Sequence, residues 1–162
     1  MMTQASPGEQ LSRRRFVLLA ASTLGTVGAG SLLPATEARA TLDAMETALA
    51  EVVGKRKLQT GKVKLDLPPI VENGNTVPLA VSVESPMTQG DHVKTIHVFN
   101  EKNPQPQVAV FHLGPRSGRA NVSTRVRLAD TQKIVAIAEM SDGSLWSDSM
   151  DVIVTLAACV EG

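Results

Sequence analysis

The sequence predicts an all-β fold, an antiparallel β-sandwich of about seven strands behind one N-terminal helix. Three observations predict it. From Val63 onward the apolar residues recur with period two rather than 3.6. Turn signals rich in Gly, Pro, Asn and Asp punctuate the chain at intervals of roughly 8–15 residues. The one segment with helical spacing precedes them all.

Residues 1–40 read as an export leader. Arg13, Arg14 and Arg15 form its charged region, and Phe16 to Ala21 with the small-residue stretch through Leu33 its apolar region. Ala38-Arg39-Ala40 is a cleavage site, so the mature chain is expected to start near Thr41. Ser12-Arg13-Arg14-Arg15-Phe16-Val17-Leu18 fits the twin-arginine pattern, with Arg13 and Arg14 as the motif pair. That predicts periplasmic localisation by a route that exports folded proteins. Gly25, Gly28, Gly30 and Pro34 interrupt the apolar run and argue against a retained anchor. The mature form is expected to have no membrane span.

Thr41 to Val53 reads as the helix. Leu42, Met45, Leu49 and Val52 make a core-facing stripe, Asp43 with Glu46 resembles a capping box, and Gly54 is the stop. Lys55 to Lys62 is a basic connector. Val63 and Leu65 then alternate with charged residues until Pro68-Pro69 breaks the run, and Glu72-Asn73-Gly74-Asn75 is a turn. Val77, Leu79, Val81 and Val83 alternate as a half-buried strand; Val93 to Phe99 and Val108 to Leu113 are further strands. Asn100 to Pro106 joins those two as a loop at one sandwich end. Val122, Thr124, Val126 and Leu128 point one way, and Ser123, Arg125 and Arg127 the other. Lys133 to Met140 is nearly all apolar, as a central strand would be. Ser141-Asp142-Gly143 signals a tight hairpin into Trp146 to Thr155, where Met150, Val152 and Val154 alternate. Together these elements predict an immunoglobulin-like sandwich over residues 41–156, carrying an arm at 157–162.

Composition narrows the function. The chain has 16 Lys and Arg against 16 Asp and Glu, and removing the leader makes it mildly acidic. A nucleic-acid binder needs a basic face or stacking aromatics, and aromatics are 2% with no tyrosine. No phosphate loop or catalytic carboxylate pair is readable, and no catalytic residue is assigned. Of the three histidines, His92 and His97 are an odd number apart on one extended segment, so they face opposite ways. No metal or cofactor site is expected from His92, His97 and His112. Arg125 and Arg127 read as a solvated sheet face or as a contact for an acidic partner. Trp146 reads as core or interface packing.

The single cysteine, Cys159, lies in the final stretch Thr155-Leu156-Ala157-Ala158-Cys159-Val160-Glu161-Gly162. It has no partner for an internal disulfide, and an unpaired thiol in an exported chain suggests an intermolecular bond or a working sulfur. Its place near the chain end argues against burial. Ala157 and Ala158 make a slim arm before it. A hydrolase built on Cys159 and a histidine is disfavoured, because a terminal arm holds a nucleophile poorly against its base.

Several stretches resemble the SoxY family of sulfur carriers. They are Leu67-Pro68-Pro69-Ile70-Val71-Glu72-Asn73-Gly74, Ile96 through Pro104, Ser123-Thr124-Arg125-Val126-Arg127-Leu128, Thr131-Gln132, and Val152-Ile153-Val154-Thr155-Leu156 before the cysteine. The resemblance implies a non-enzymatic carrier whose terminal cysteine, here Cys159, receives a thiosulfate-derived group. It also implies a heterodimer with a SoxZ-like subunit and transient contacts with a haem enzyme and a hydrolase. The family's arm reads Gly-Gly-Cys-Gly-Gly. Here Ala157 and Ala158 narrow the backbone freedom, Val160 stiffens the tip, Glu161 sets negative charge beside the sulfur, and Gly162 follows. That charge disfavours thiolate and repels an anionic substrate. The rival readings are a SoxY-like binding module that has lost carriage, a disulfide-linked dimer and a small thiol enzyme.

Overall fold

The structure is a computed structural model and describes residues 42–157. The leader with Arg13 and Arg14, and the arm residues Ala158, Cys159, Val160, Glu161 and Gly162, lie outside the described residues.

The helix forms as the spacing predicts, as α1 (Leu42–Val53). Met45 is buried, and with Ala48, Leu49, Val52 and Val53 it packs on Phe99, Val135, Ile137 and Leu145. Gly54 ends the helix at φ +57°, donating its N–H to the Ala50 carbonyl at 2.8 Å. That left-handed conformation costs a glycine little. The Arg56 guanidinium then folds back onto the last turn. It donates to the Val52 carbonyl at 2.6 Å and pairs with Glu139 at 3.3 Å, which locks the helix end to the sheet.

Nine strands follow among the described residues: β1 (Leu58–Thr60), β2 (Val63–Asp66), β3 (Ile70–Val71), β4 (Val77–Val83), β5 (Val93–Asn100), β6 (Gln107–His112), β7 (Asn121–Val126), β8 (Gln132–Met140) and β9 (Leu145–Val154). Seven of these are the long strands that the alternation predicts. The other two differ from expectation: β1 lies inside the basic connector, and β3 starts directly after Pro68-Pro69. Both are short and pair parallel to β9, Leu58 with Leu145 and Ile70 with Ile153. Neither is long enough to show a period.

One sheet runs β1-β9-β8-β5-β6, with β3 also on β9; the other runs β2-β4-β7. Their facing sides close the main core, with Val77, Leu79 and Val81 from the smaller sheet against Ile96, Val98, Ile134, Ala136 and Val152 from the larger. The opposite face of the larger sheet lies under α1. This explains the unbroken apolar run of β8: Ile134 to Ala138 are all buried because both faces of that strand are covered. The β8–β9 hairpin turns through Gly143 at φ +83°, with Asp142 Oδ1 accepting the Ser144 N–H at 2.8 Å. Asp148 on β9 reaches across to the smaller sheet, where its Oδ2 accepts the Leu65 N–H at 2.9 Å. Trp146 is half-buried at the margin of the main core, under the Lys62 ammonium at 4.8 Å.

Candidate functional site

The site is built where β9 ends. Ile153 donates its N–H to the Pro69 carbonyl at 2.9 Å, and Thr155 to that of Val71 at 2.9 Å. The Thr155 hydroxyl donates to the Glu72 carbonyl at 3.2 Å. On the other side, the Val154 N–H donates to the Thr131 hydroxyl oxygen at 3.0 Å. The last backbone tie among the described residues comes from the turn after β3: the Gly74 N–H donates to the Leu156 carbonyl at 2.8 Å. The chain is thus fastened through Leu156, and Ala157 is exposed. Cys159 follows Leu156 by three residues. At about 3.3–3.6 Å per residue, its Cα can stand roughly 10 Å from the last fastened one.

The same end of the sandwich carries the loops between β3 and β4, β5 and β6, and β7 and β8. Hydrogen bonds tie them into one platform. The Gly74 carbonyl accepts the Leu128 N–H at 2.8 Å. Gln132, nearly fully buried, accepts from the Lys102 N–H at 2.9 Å and donates to Asn103 Oδ1 at 3.0 Å. Asn103 also donates to the Arg127 carbonyl at 2.7 Å and accepts from the Ala129 N–H at 3.1 Å. Asp130 is held below the usual carboxylate range, first by the Thr131 N–H and then by Lys102. The root of the arm is therefore fixed by a cross-braced frame, not by the strand alone.

The rim of this root is apolar. Ile70 is 60% exposed, Ile153 52% and Leu156 68%, and Ile70 and Ile153 are register partners. Isolated exposed apolar residues are ordinary, whereas a group of them around one feature marks a contact surface.

The remaining candidates lie elsewhere. His92 sits just before β5 with Nδ1 at 3.1 Å from the Thr88 carbonyl. His97 and His112 lie on neighbouring strands, with Nδ1 atoms 3.0 Å from Gln107 Nε2 and 3.5 Å from Thr95 Oγ1. Burial is the main cause that pushes His97 below the ordinary histidine value. Among the described residues no group of three His, Cys, Asp or Glu is placed to hold a metal ion. Arg125 and Arg127 are exposed, and neither has an ion pair among the described residues. Sequence reasoning missed the fastening roles of Gly74, Thr131 and Asn103. Gly74 showed only as a turn signal, and Thr131 and Asn103 only within stretches that carry the family resemblance.

A small sandwich that pins its last strand through Leu156, three residues before the cysteine, defines a scaffold protein of immunoglobulin-like type. The family model for sulfur oxidation protein SoxY matches residues 49–159, ending on the cysteine, and the chain belongs to the SoxY family. The solved structure of the sulfur carrier protein SoxY from Chlorobium limicola f. thiosulfatophilum is 30% identical, with a TM-score of 0.58 over 69% of this chain and 96% of that one. The superoxide reductase (neelaredoxin) from Ignicoccus hospitalis matches at 18% identity and a TM-score of 0.53, covering 73% of this chain and 96% of that one. A putative superoxide reductase from Thermotoga maritima matches at 22% and 0.51, covering 61% and 93%. At those identities the two reductases show a shared sandwich and nothing of activity. No curated protein matches the chain.

Proposed function

We propose that this protein is a periplasmic covalent sulfur carrier. The Cys159 thiolate receives a thiosulfate-derived or related sulfur group, and partner enzymes load and unload it. The observation that carries the reading is the fastening at Leu156 in a chain of this family: a braced frame ends three residues before the only cysteine. Exchange at such a thiol depends on its thiolate fraction and access. A leash of roughly 10 Å obliges an enzyme to bring its reactive centre close to the root. The apolar rim of Ile70, Ile153 and Leu156 suits that approach. Export follows the twin-arginine leader at Arg13 and Arg14, the chain pairs with a SoxZ-like subunit, and a haem enzyme and a hydrolase act on the arm in turn. The carrier holds no cofactor beyond its covalent sulfur and catalyses no step itself.

The test is intact-mass measurement of the protein recovered from the periplasm of cells supplied with thiosulfate. Sulfur-bearing adducts on Cys159, absent from Cys159→Ser, are expected. A wholly unmodified thiol, together with unimpaired sulfur oxidation in Cys159→Ser cells, overturns the reading. A second reading draws on the tail. Val160 and Glu161 stand where the family pattern has glycines, which fits a binding module that no longer carries thiosulfate. In that case the parent chain itself forms no adduct, and Cys159→Ser keeps both the partner complex and the parent's activity.

A further inference from the structure

An open groove of about 940 Å³ lies on the outer side of the smaller sheet, where β2 leaves β4 to cross to the other sheet. Pro68 and Pro69 form one wall; Pro78, Ser123 and Arg125 form the other. Arg125 sits opposite Pro78 in the β4–β7 register. Arg127, one residue beyond β7, keeps the same outward alternation. Both guanidinium groups are exposed, and neither meets a carboxylate among the described residues. Asp66, also on the lining, lies further in, opposite Ala80. An acidic ligand entering past Arg127 therefore meets two cations before it meets a like charge.

The entrance to this groove is next to the root of the arm. Gly74 bonds Leu156 through its N–H and Leu128 through its carbonyl, each at 2.8 Å. From Leu128 back to Arg125 is three residues, about 10 Å of extended chain. From Leu156 to Glu161 is five residues, about 17 Å. The arm is long enough to reach Arg125. The spacing also agrees: alternate residues of an extended chain share a side about 7 Å apart, so Cys159 and Glu161 match Arg127 and Arg125.

We propose that residues 158–162 dock back into this groove, antiparallel to β7, with Glu161 at Arg125 and Cys159 beside Arg127. The groove is thus a resting site for the arm of this same chain. Arg127 there offsets the Glu161 charge and favours the thiolate. On the sulfur-carrier reading, an anionic group held on Cys159 gains the same partner. An exposed ion pair shifts such a balance only about two- to five-fold, so the arm is readily released to an enzyme.

The test places a nitroxide on Cys159 of the full chain and reads amide line broadening by NMR. Broadening at Ala80, Ser123 and Arg125 is expected, lost in Arg125→Glu and restored when Glu161→Lys is added to it. Neutral iodoacetamide, applied at a pH where the thiol is fully ionised in both chains, then alkylates Cys159 about two- to five-fold faster in Arg125→Glu than in the parent chain. Unchanged amide positions elsewhere verify that the exposed substitution leaves the fold intact. Broadening confined to the surroundings of Gly74 and Thr131, or insensitive to the charge reversal, overturns the proposal. Loading of sulfur on Cys159 is read separately by mass, so failure of the resting site leaves the carrier reading standing.

Discussion

The Thr131 hydroxyl accepts the Val154 N–H at 3.0 Å, joining the loop before β8 to the end of β9. The same hydroxyl lies 3.5 Å from the Val154 carbonyl, so one side chain serves both polar groups of that residue. Val154 is buried, and its N–H gains no water if the hydroxyl is removed. Thr131→Val is therefore expected to cost about 1–3 kcal/mol in urea unfolding, with faster hydrogen exchange at Val154 and Thr155. Thr131→Ser keeps the acceptor and should stay near the parent value.

Asp148 satisfies the Leu65 N–H on β2, an edge strand of the smaller sheet. Asp148→Ala leaves that part-buried donor bare and is expected to cost about 1–3 kcal/mol by chemical denaturation. It also opens the edge to pairing with other chains, so light scattering should rise on mild heating. Asp148→Asn, which retains an acceptor oxygen, should fall between the two.

His97 titrates below the ordinary value of 6.5, mainly through burial, with Glu139 opposing and His112 and Arg56 reinforcing the shift. Its folded form therefore binds the proton less readily than its unfolded form. As pH falls through 6.5 the unfolded chain protonates first, and stability drops until the folded pKa is passed. His97→Gln removes this dependence, so the urea midpoints of parent and variant should diverge as pH is lowered through the histidine range. Asp130 has the matching sign at lower pH: its depressed carboxyl contributes above the ordinary 3.8 and loses that contribution as the pH falls through its folded value.

Cys159 is expected to accept one alkyl group in the folded protein without denaturant, as read by intact mass. No mass gain would remove the arm from the account. Co-expression with a SoxZ-type subunit should give a stable heterodimer on size exclusion, and a chain that elutes alone beside that subunit would contradict the pairing.

Much of this architecture was legible in the chain. Val77 to Val83 and Val122 to Leu128 show their alternation plainly, because one side of each faces the main core and the other faces water. The Lys133 to Met140 run showed a central strand, although the helix that covers its second side could not be read from it. The strands β1 and β3 were not legible: pairing with the distant β9 stabilises them, and no local pattern records it. The frame around Leu156 was hidden for the same reason. Gly74, Thr131 and Asn103 act through hydrogen bonds to residues far along the chain, and hydrogen bonds leave no period. The cysteine itself was visible as a lone thiol near the chain end, while the braced anchorage before it emerged only from the three-dimensional arrangement.

The pairing of β9 on both flanks has a mechanical consequence. It is held by β8 along one side and by β1 and β3 along the other. Tension applied at Leu156 runs along the strand axis, perpendicular to the hydrogen bonds of these ladders. The bonds then bear the load together in shear and do not peel one at a time. A pull on the end of β9 is therefore spread over the whole sheet, which keeps its shape.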